Sequence, residues 1–225
     1  MEEYSKYKPS GIEWIGDIPY DWNIFTMRQV GHFDGSGIDK KINKNEVLVK
    51  MVNYTDIYNN KSLILDNKRE YMIVSCPVEK LNKVLVKKGD LIFTPSSETV
   101  KDIGLSSVVI ENLDNTVYSY HVLRYKFSEK VNINFSKYIC NNYFVLNWFS
   151  KSALGTIRKI LSRQDFKNTK IILPPLVKQK EIADFLDKKT LHIDNLIENI
   201  TKQIKKLQEY RKSIISEAVT GKATI

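Results

Sequence analysis

The sequence predicts an α+β protein. A globular mixed α/β domain occupies residues 1–175, and one long C-terminal coiled-coil helix follows over 176–225. Three observations carry that reading. Short runs rich in Val, Ile and Tyr, separated by turn residues, fill the first two thirds and mark strands. One stretch in mid-chain spaces its apolar residues at helical intervals instead. Pro174-Pro175 then closes the mixed region, and from about 177 to 219 there is neither Pro nor Gly.

The elements follow in order. The opening "KPSGIEWIGDIPYDW" (Lys8–Trp22) holds two of the three tryptophans and little charge. Trp14, Ile15, Ile18 and Trp22 are expected to pin the chain's start onto the domain. "NEVLVKMVNYTDIY" (Asn45–Tyr58) reads as a strand with partial alternation. "KVLVKKGDLIFTPS" (Lys83–Ser96) reads as strand, turn at Gly89, strand. "GLSSVVIE" (Gly104–Glu111) and "YSYHVLRYKFS" (Tyr118–Ser128) add two more. From Phe135 to Ser150 the period becomes helical, with Asn134 as N-cap and Gly155 beyond its end. "TKIILPPL" (Thr169–Leu176) returns to strand.

Proline is tolerated just before a helix and breaks one in its interior, so Pro174-Pro175 is the sharpest boundary in the chain. Beyond it Leu186, Ile193, Ile200, Leu207 and Ile214 recur every seven residues, flanked by Leu196, Ile197 and Ile204. This is a heptad seam. Lys189, Gln203 and Glu217 interrupt a neighbouring column, a usual device for fixing register. About 40 residues span about 60 Å. Such a stripe could lie on its own domain, but a second long helix matches it better.

Length and composition suffice for a real core: 225 residues, 42% hydrophobic and 11% aromatic. Lys and Arg total 35 against 26 Asp and Glu, a formal charge of +9. Nucleic acid is the first partner such an excess suggests, and an acidic membrane surface the second. The two cysteines, Cys76 and Cys140, stand far apart in no metal spacing, which fits a reducing compartment. No basic leader and no apolar run of membrane length appear, so the cytoplasm is the expected location.

Known catalytic signatures are missing. His32, His121 and His192 are scattered, without Cys, Asp or Glu at metal-ligand spacing, so no metal site is expected. Gly35-Ser36-Gly37 lacks the third glycine of a dinucleotide loop, and there is no phosphate-binding lysine loop or serine elbow. Leu173-Pro174-Pro175-Leu176 has the two prolines of an amino-methyltransferase tetrapeptide. It lacks the polar first residue that holds the target amine and the aromatic last residue that stacks the flipped base. Glu98 and Lys101 are wrongly spaced for a nuclease. The chain reads as a binder.

Base reading needs Arg, Lys, Asn, Gln, Ser or Thr on a groove-entering element, with further cations for phosphates. Four segments supply them. Asp34–Asn45 carries Lys40 and Lys41, and Thr94–Asp102 carries Ser96, Ser97 and Lys101. Tyr118–Lys126 carries Tyr118, Tyr120, His121 and Arg124, and Gly155–Phe166 carries Arg158, Lys159, Arg163 and Gln164. On the long helix, Lys205, Lys206, Arg211 and Lys212 read as a solvated face.

The opening "YKPSGIEWIGDIPYDW", the bridge "ILPPLVKQKEIADFLDKK" and the tail "EYRKSIISEAVTGK", in that order, resemble the DNA-specificity (S) subunit of type I restriction–modification systems. Lys178 stands before Gln179 where that family usually has an acidic residue. The resemblance implies a target-recognition domain over 1–175 and a long dimerisation helix over 176–225. A full-length subunit of the family carries that pair twice, with the two helices antiparallel, and each recognition domain reads half of a split target. The subunit has no catalytic activity and no cofactor of its own. It docks methyltransferase subunits, which bind S-adenosylmethionine and modify adenine, and through them endonuclease subunits. The region between Asn23 and Asn168 varies with the target.

One recognition region and one helix imply a half-length form. The expectation is a homodimer with antiparallel helices joined through Leu186, Ile193, Leu196, Ile197, Ile200, Ile204, Leu207 and Ile214. It would bind double-stranded DNA at an interrupted palindrome whose half-sites lie about one helical turn apart. A free-standing DNA-binding regulator dimerised by its coil is the alternative.

Overall fold

A computed structural model of the chain describes residues 4–13 and 15–222. They form two units: one through Glu181, and one from Ile182 onward. The expectation for Trp14 falls outside the described residues.

The first unit is built on two sheets. In the five-stranded sheet the order is Gly31–Asp34, Leu123–Phe127, Leu91–Phe93, Ser106–Val109, Ile64–Leu65. Its first three pairings are antiparallel and the last is parallel. In the three-stranded sheet Val47–Val52 lies centrally, parallel to Thr116–Tyr118 and antiparallel to Met72–Cys76. Lys170–Leu173 returns from the far end of the sequence to pair antiparallel with Asn23–Thr26. Val49, Met51, Val52, Val74, Ile92, Val109 and Val117 form one core. A second core is aromatic: Phe33 packs on Phe93, Tyr125 and Phe166, and Phe149 closes on Phe93 and Phe166.

The start of the chain is a small antiparallel pair, Tyr7–Pro9 with Asp17–Pro19. Ile18 is buried, Ile15 is half-buried, and Trp22 is half-buried with its ring edge-on to Tyr4 at 5.6 Å. The segment folds on itself through this strand pair and the Tyr4–Trp22 contact.

Several boundaries differ from the sequence reading, each for a local reason. Asn45–Tyr58 is a strand only to Val52. Asn53 and Asp56 then form a reciprocal capping box that starts a helix over Tyr54–Tyr58. The first apolar run of Lys83–Ser96 is the end of a helix, Val78–Val84, and only Leu91–Phe93 is a strand before the short Ser96–Ser97. Gly89 does sit in the connecting turn, at φ 91°.

Tyr118–Ser128 is not one strand. Ser119 accepts from the Val122 amide and turns the chain, so Thr116–Tyr118 belongs to the three-stranded sheet and Leu123–Phe127 to the five-stranded one. The helix expected from Phe135 is two, Ile133–Ile139 and Tyr143–Ser152. Asn132 and Asn142, not Asn134, cap them. The break lies where Asn141 leaves the helix to bond both backbone groups of Ser106 in the central sheet.

The long helix runs Leu176–Val219, 44 residues. The Pro175 carbonyl accepts the Gln179 amide in its first turn. The first unit takes in the start of this helix, beyond the sequence boundary at 175. Gln179 shows why: it is buried, donates to the Pro174 carbonyl at 2.8 Å and accepts from the Asn132 amide at 2.9 Å. In the second unit the seam residues Ile193, Leu196, Ile197, Ile200, Ile204, Leu207 and Ile214 are exposed, and Leu186 is half-buried. No described helix is long and apolar enough to cross a membrane.

Candidate nucleic-acid interface

The turn that moves the chain between sheets also starts the site. Tyr120 and His121 project from it, with rings 3.9 Å apart. The Tyr120 amide donates to the Ile38 carbonyl and docks the Asp34–Asn45 loop beside them. In that loop Ser36 is buried and accepts from the Ile38 amide at 3.1 Å, so the glycine-flanked stretch is ordered. Arg163 reaches Gly35 so closely that a Cβ there would lie 2.7 Å from a guanidinium nitrogen.

A hairpin supplies the opposite wall. Lys159–Ile160 pairs antiparallel with Ser96–Ser97, and Leu154 bridges Ile160. Gly155 turns the chain at φ 114°, and a Cβ there would sit 2.1 Å from the Arg158 carbonyl, so only glycine fits. The Lys159 ammonium donates back to the Gly155 carbonyl and helps close the loop. Arg158 donates from Nε to Ser96 Oγ at 3.1 Å, and its guanidinium lies 6.0 Å from the Tyr54 ring centroid. Tyr54 in turn stacks on Tyr58, at 5.4 Å and 20°. Asp102 accepts from the Tyr58 hydroxyl at 3.2 Å and from Thr99 at 2.9 Å, and that hydrogen bond, with the carboxylate's charge, raises the Tyr58 pKa.

Electrostatics join the two walls. Burial, then the charges of Lys40 and Arg158, hold the His121 pKa below the usual histidine value, with Asp39 opposing. Lys41 pairs with Asp39 at 3.3 Å. Arg158 and Arg163 have no acidic partner within ion-pair distance among the described residues. Lys101 is exposed in the turn that carries Asp102, and Gln164 is exposed on the helix Arg163–Asn168, bonded to Asn168 at 3.0 Å.

The structure places three of the expected DNA contacts inside the domain, whereas the sequence reading puts them on a binding surface. Ser97 is buried, and its hydroxyl accepts from the Thr99 amide. Tyr118 is fully buried, which pushes its hydroxyl up to about 12. Arg124 is 3% exposed and lies over the Tyr118 ring at 4.7 Å. Its terminal nitrogens donate to the Lys83 and Leu85 carbonyls, both at 2.9 Å, and to Asp34 at 3.2 Å. The carbonyls at a helix end lack intrahelical donors, and Arg124 supplies them for Val78–Val84. None of the three faces solvent in this structure.

The sequence reading missed Tyr54, Tyr58 and Asp102. The signal was present: Asn53-x-x-Asp56 is a capping-box spacing, and Tyr54 and Tyr58 are four apart, neighbours only on a helix. A strand assignment hid both.

The arrangement offers exposed cations, stacked aromatic faces and hydroxyls on neighbouring loops, the groups that contact phosphates and base edges. Both cysteines are buried thiols, and no group of three His, Cys, Asp or Glu among the described residues could hold a metal ion.

Comparison with known proteins gives a consistent result. The family model described as "Type I restriction modification DNA specificity domain" matches residues 19–206. The type I restriction enzyme MjaVIII specificity subunit of Methanocaldococcus jannaschii is 27% identical over 235 residues, covering 99% of this chain and 50% of that protein. Among solved structures, a chain from work on complex assembly and conformational transition of the type I R-M system superposes with a TM-score of 0.68. It is 15% identical, with 92% of this chain and 48% of that one covered. The HsdS subunit from Thermoanaerobacter tengcongensis gives 0.56, at 16% identity, 92% and 47%. The chain spans about half the length of the curated relatives it matches.

Proposed function

The chain belongs to the type I restriction–modification DNA specificity family, and from that premise we propose that it is a non-catalytic subunit that selects the DNA sequence to be methylated. The surface formed by Lys40, Tyr120, His121, Arg158, Arg163, Tyr54 and Tyr58 supports this reading best. It gathers cations and aromatic faces from segments far apart in sequence, and its two arginines have no acidic partner within ion-pair distance among the described residues. Methylation itself belongs to methyltransferase subunits that the chain docks, with S-adenosylmethionine bound by them, and endonuclease subunits join through these.

The exposed seam of the long helix supports self-association. A helix of 44 residues is about 66 Å long. Ile193, Ile197, Ile200, Ile204 and Leu207 repeat along it and are all about half exposed or more. A second, antiparallel copy buries this stripe on its like and relates two recognition domains by a two-fold axis. The bound site is then an interrupted palindrome with half-sites about one turn, ~34 Å, apart.

The test is to map methylated adenines in cells that carry this chain together with a methyltransferase subunit. A split palindromic motif, lost when the chain is deleted, is the expected result. A non-palindromic motif refutes self-pairing, and absence of directed methylation leaves a free-standing DNA-binding regulator.

A further inference from the structure

Resting on that DNA reading, we infer that Arg158 is a preformed guanidinium fork for a two-acceptor edge of DNA, and that Tyr54 and Ser96 are the residues that position it. Three contacts fix the side chain before any ligand arrives. Ser96 Oγ holds Nε at 3.1 Å, the Tyr54 ring lies beneath the guanidinium at 6.0 Å, and the Gly155 turn fixes the backbone that carries it. Tyr54 is itself braced, stacked on Tyr58, whose hydroxyl is anchored on Asp102. Nε is thereby occupied, and neither terminal nitrogen has a hydrogen-bond acceptor among the described residues.

That leaves four N–H groups, one on each terminal nitrogen pointing in parallel, on an exposed loop next to Lys40 and His121. A planar fork with fixed orientation matches paired acceptors, and a lysine ammonium does not. DNA presents such pairs in two places: O6 and N7 of guanine in the major groove, and the two free oxygens of a phosphate. Side chains held in advance lose little entropy on binding, so the bracing by Tyr54 and Ser96 contributes to affinity through Arg158.

The experiment uses the full chain with its methyltransferase subunit and duplexes carrying the mapped motif, across a salt series, with thermal melting of each variant as a check on folding. Arg158→Lys keeps the charge and is expected to lower affinity about tenfold. Tyr54→Leu, which keeps apolar bulk without a ring face, and Ser96→Ala move affinity the same way by less. Tyr54→Phe restores it. If Tyr54→Leu does not fold, Ser96→Ala and Tyr54→Phe still decide the point.

The two sources of acceptor separate in the methylation motif. Relaxation at a single guanine with Arg158→Lys assigns the base edge. An unchanged motif with uniformly weaker binding, and a salt slope lowered by about one in Arg158→Ala, assigns a phosphate. Affinity of Arg158→Lys equal to that of the unsubstituted chain overturns the inference. So does loss of the methyltransferase subunit with DNA binding intact, which would place the fork on a protein partner. If the unsubstituted chain prefers no sequence, the DNA reading itself falls, and this inference with it.

Discussion

Arg124 and Arg158 are the same residue type with opposite duties, and burial separates them. Arg124 spends its hydrogen bonds on a helix end and Asp34, inside the domain. Removing it as Arg124→Met takes the buried cation from beside Asp90, which keeps only the Lys87 amide, and the donors from two carbonyls, for a loss of about 3 kcal/mol in urea unfolding. The methylated motif should not change. His121 carries a second prediction at this scale. Its depressed pKa means that its stabilising contribution is present above pH ~6.5 and is lost as pH falls through the folded value. DNA phosphates screen Lys40 and Arg158, so binding raises that pKa and takes up a proton. Affinity should therefore rise as the pH is lowered through the histidine range, and the rise should flatten in His121→Gln, read by titration at several pH values.

At the scale of elements, asparagine and glutamine amides decide where helices begin. Asn53, Asn132 and Asn142 each accept from first-turn amides, and Gln179 joins the start of the long helix to the loop before Ile133. Gln179→Ala removes two buried hydrogen bonds and should cost about 2 kcal/mol in denaturant unfolding. The long helix makes a different prediction. Replacing Ile193 and Ile200 by Asp puts charges into the seam at side chains that are exposed in the single chain. Light scattering at micromolar concentration should then show a monomer for the variant and, on the proposed self-pairing, a dimer for the unsubstituted chain, and the folded signal of the domain should persist.

For the whole molecule, two-fold symmetry is the prediction with most consequence. A pair of identical recognition units can read only identical half-sites. Lengthening the helix by seven residues in the middle of the seam keeps its register and adds about 10 Å per chain. The methylated motif should keep its half-site bases and widen its spacer. The same bases at an unchanged spacing would show that the helix does not set the distance.

The sequence alone determined the elements whose physics is local. A heptad seam over some forty residues, a proline pair that cannot lie inside a helix, and an excess of cations are each read without knowing what they touch. The family followed from three segments in fixed order, and the family match over residues 19–206 supports it. What the tertiary structure decided was which polar side chains face out. Ser97, Tyr118 and Arg124 look in sequence like Ser96, Tyr120 and Arg158, and a turn at Ser119 or a hairpin at Gly155 sends one of each pair inward and the other to the surface. Tyr54 joined the site only because a capping box turned an apparent strand into helix, and because a hairpin about a hundred residues later brought Arg158 to its ring. Strand pairing between distant segments sets those neighbours, and no local pattern encodes it.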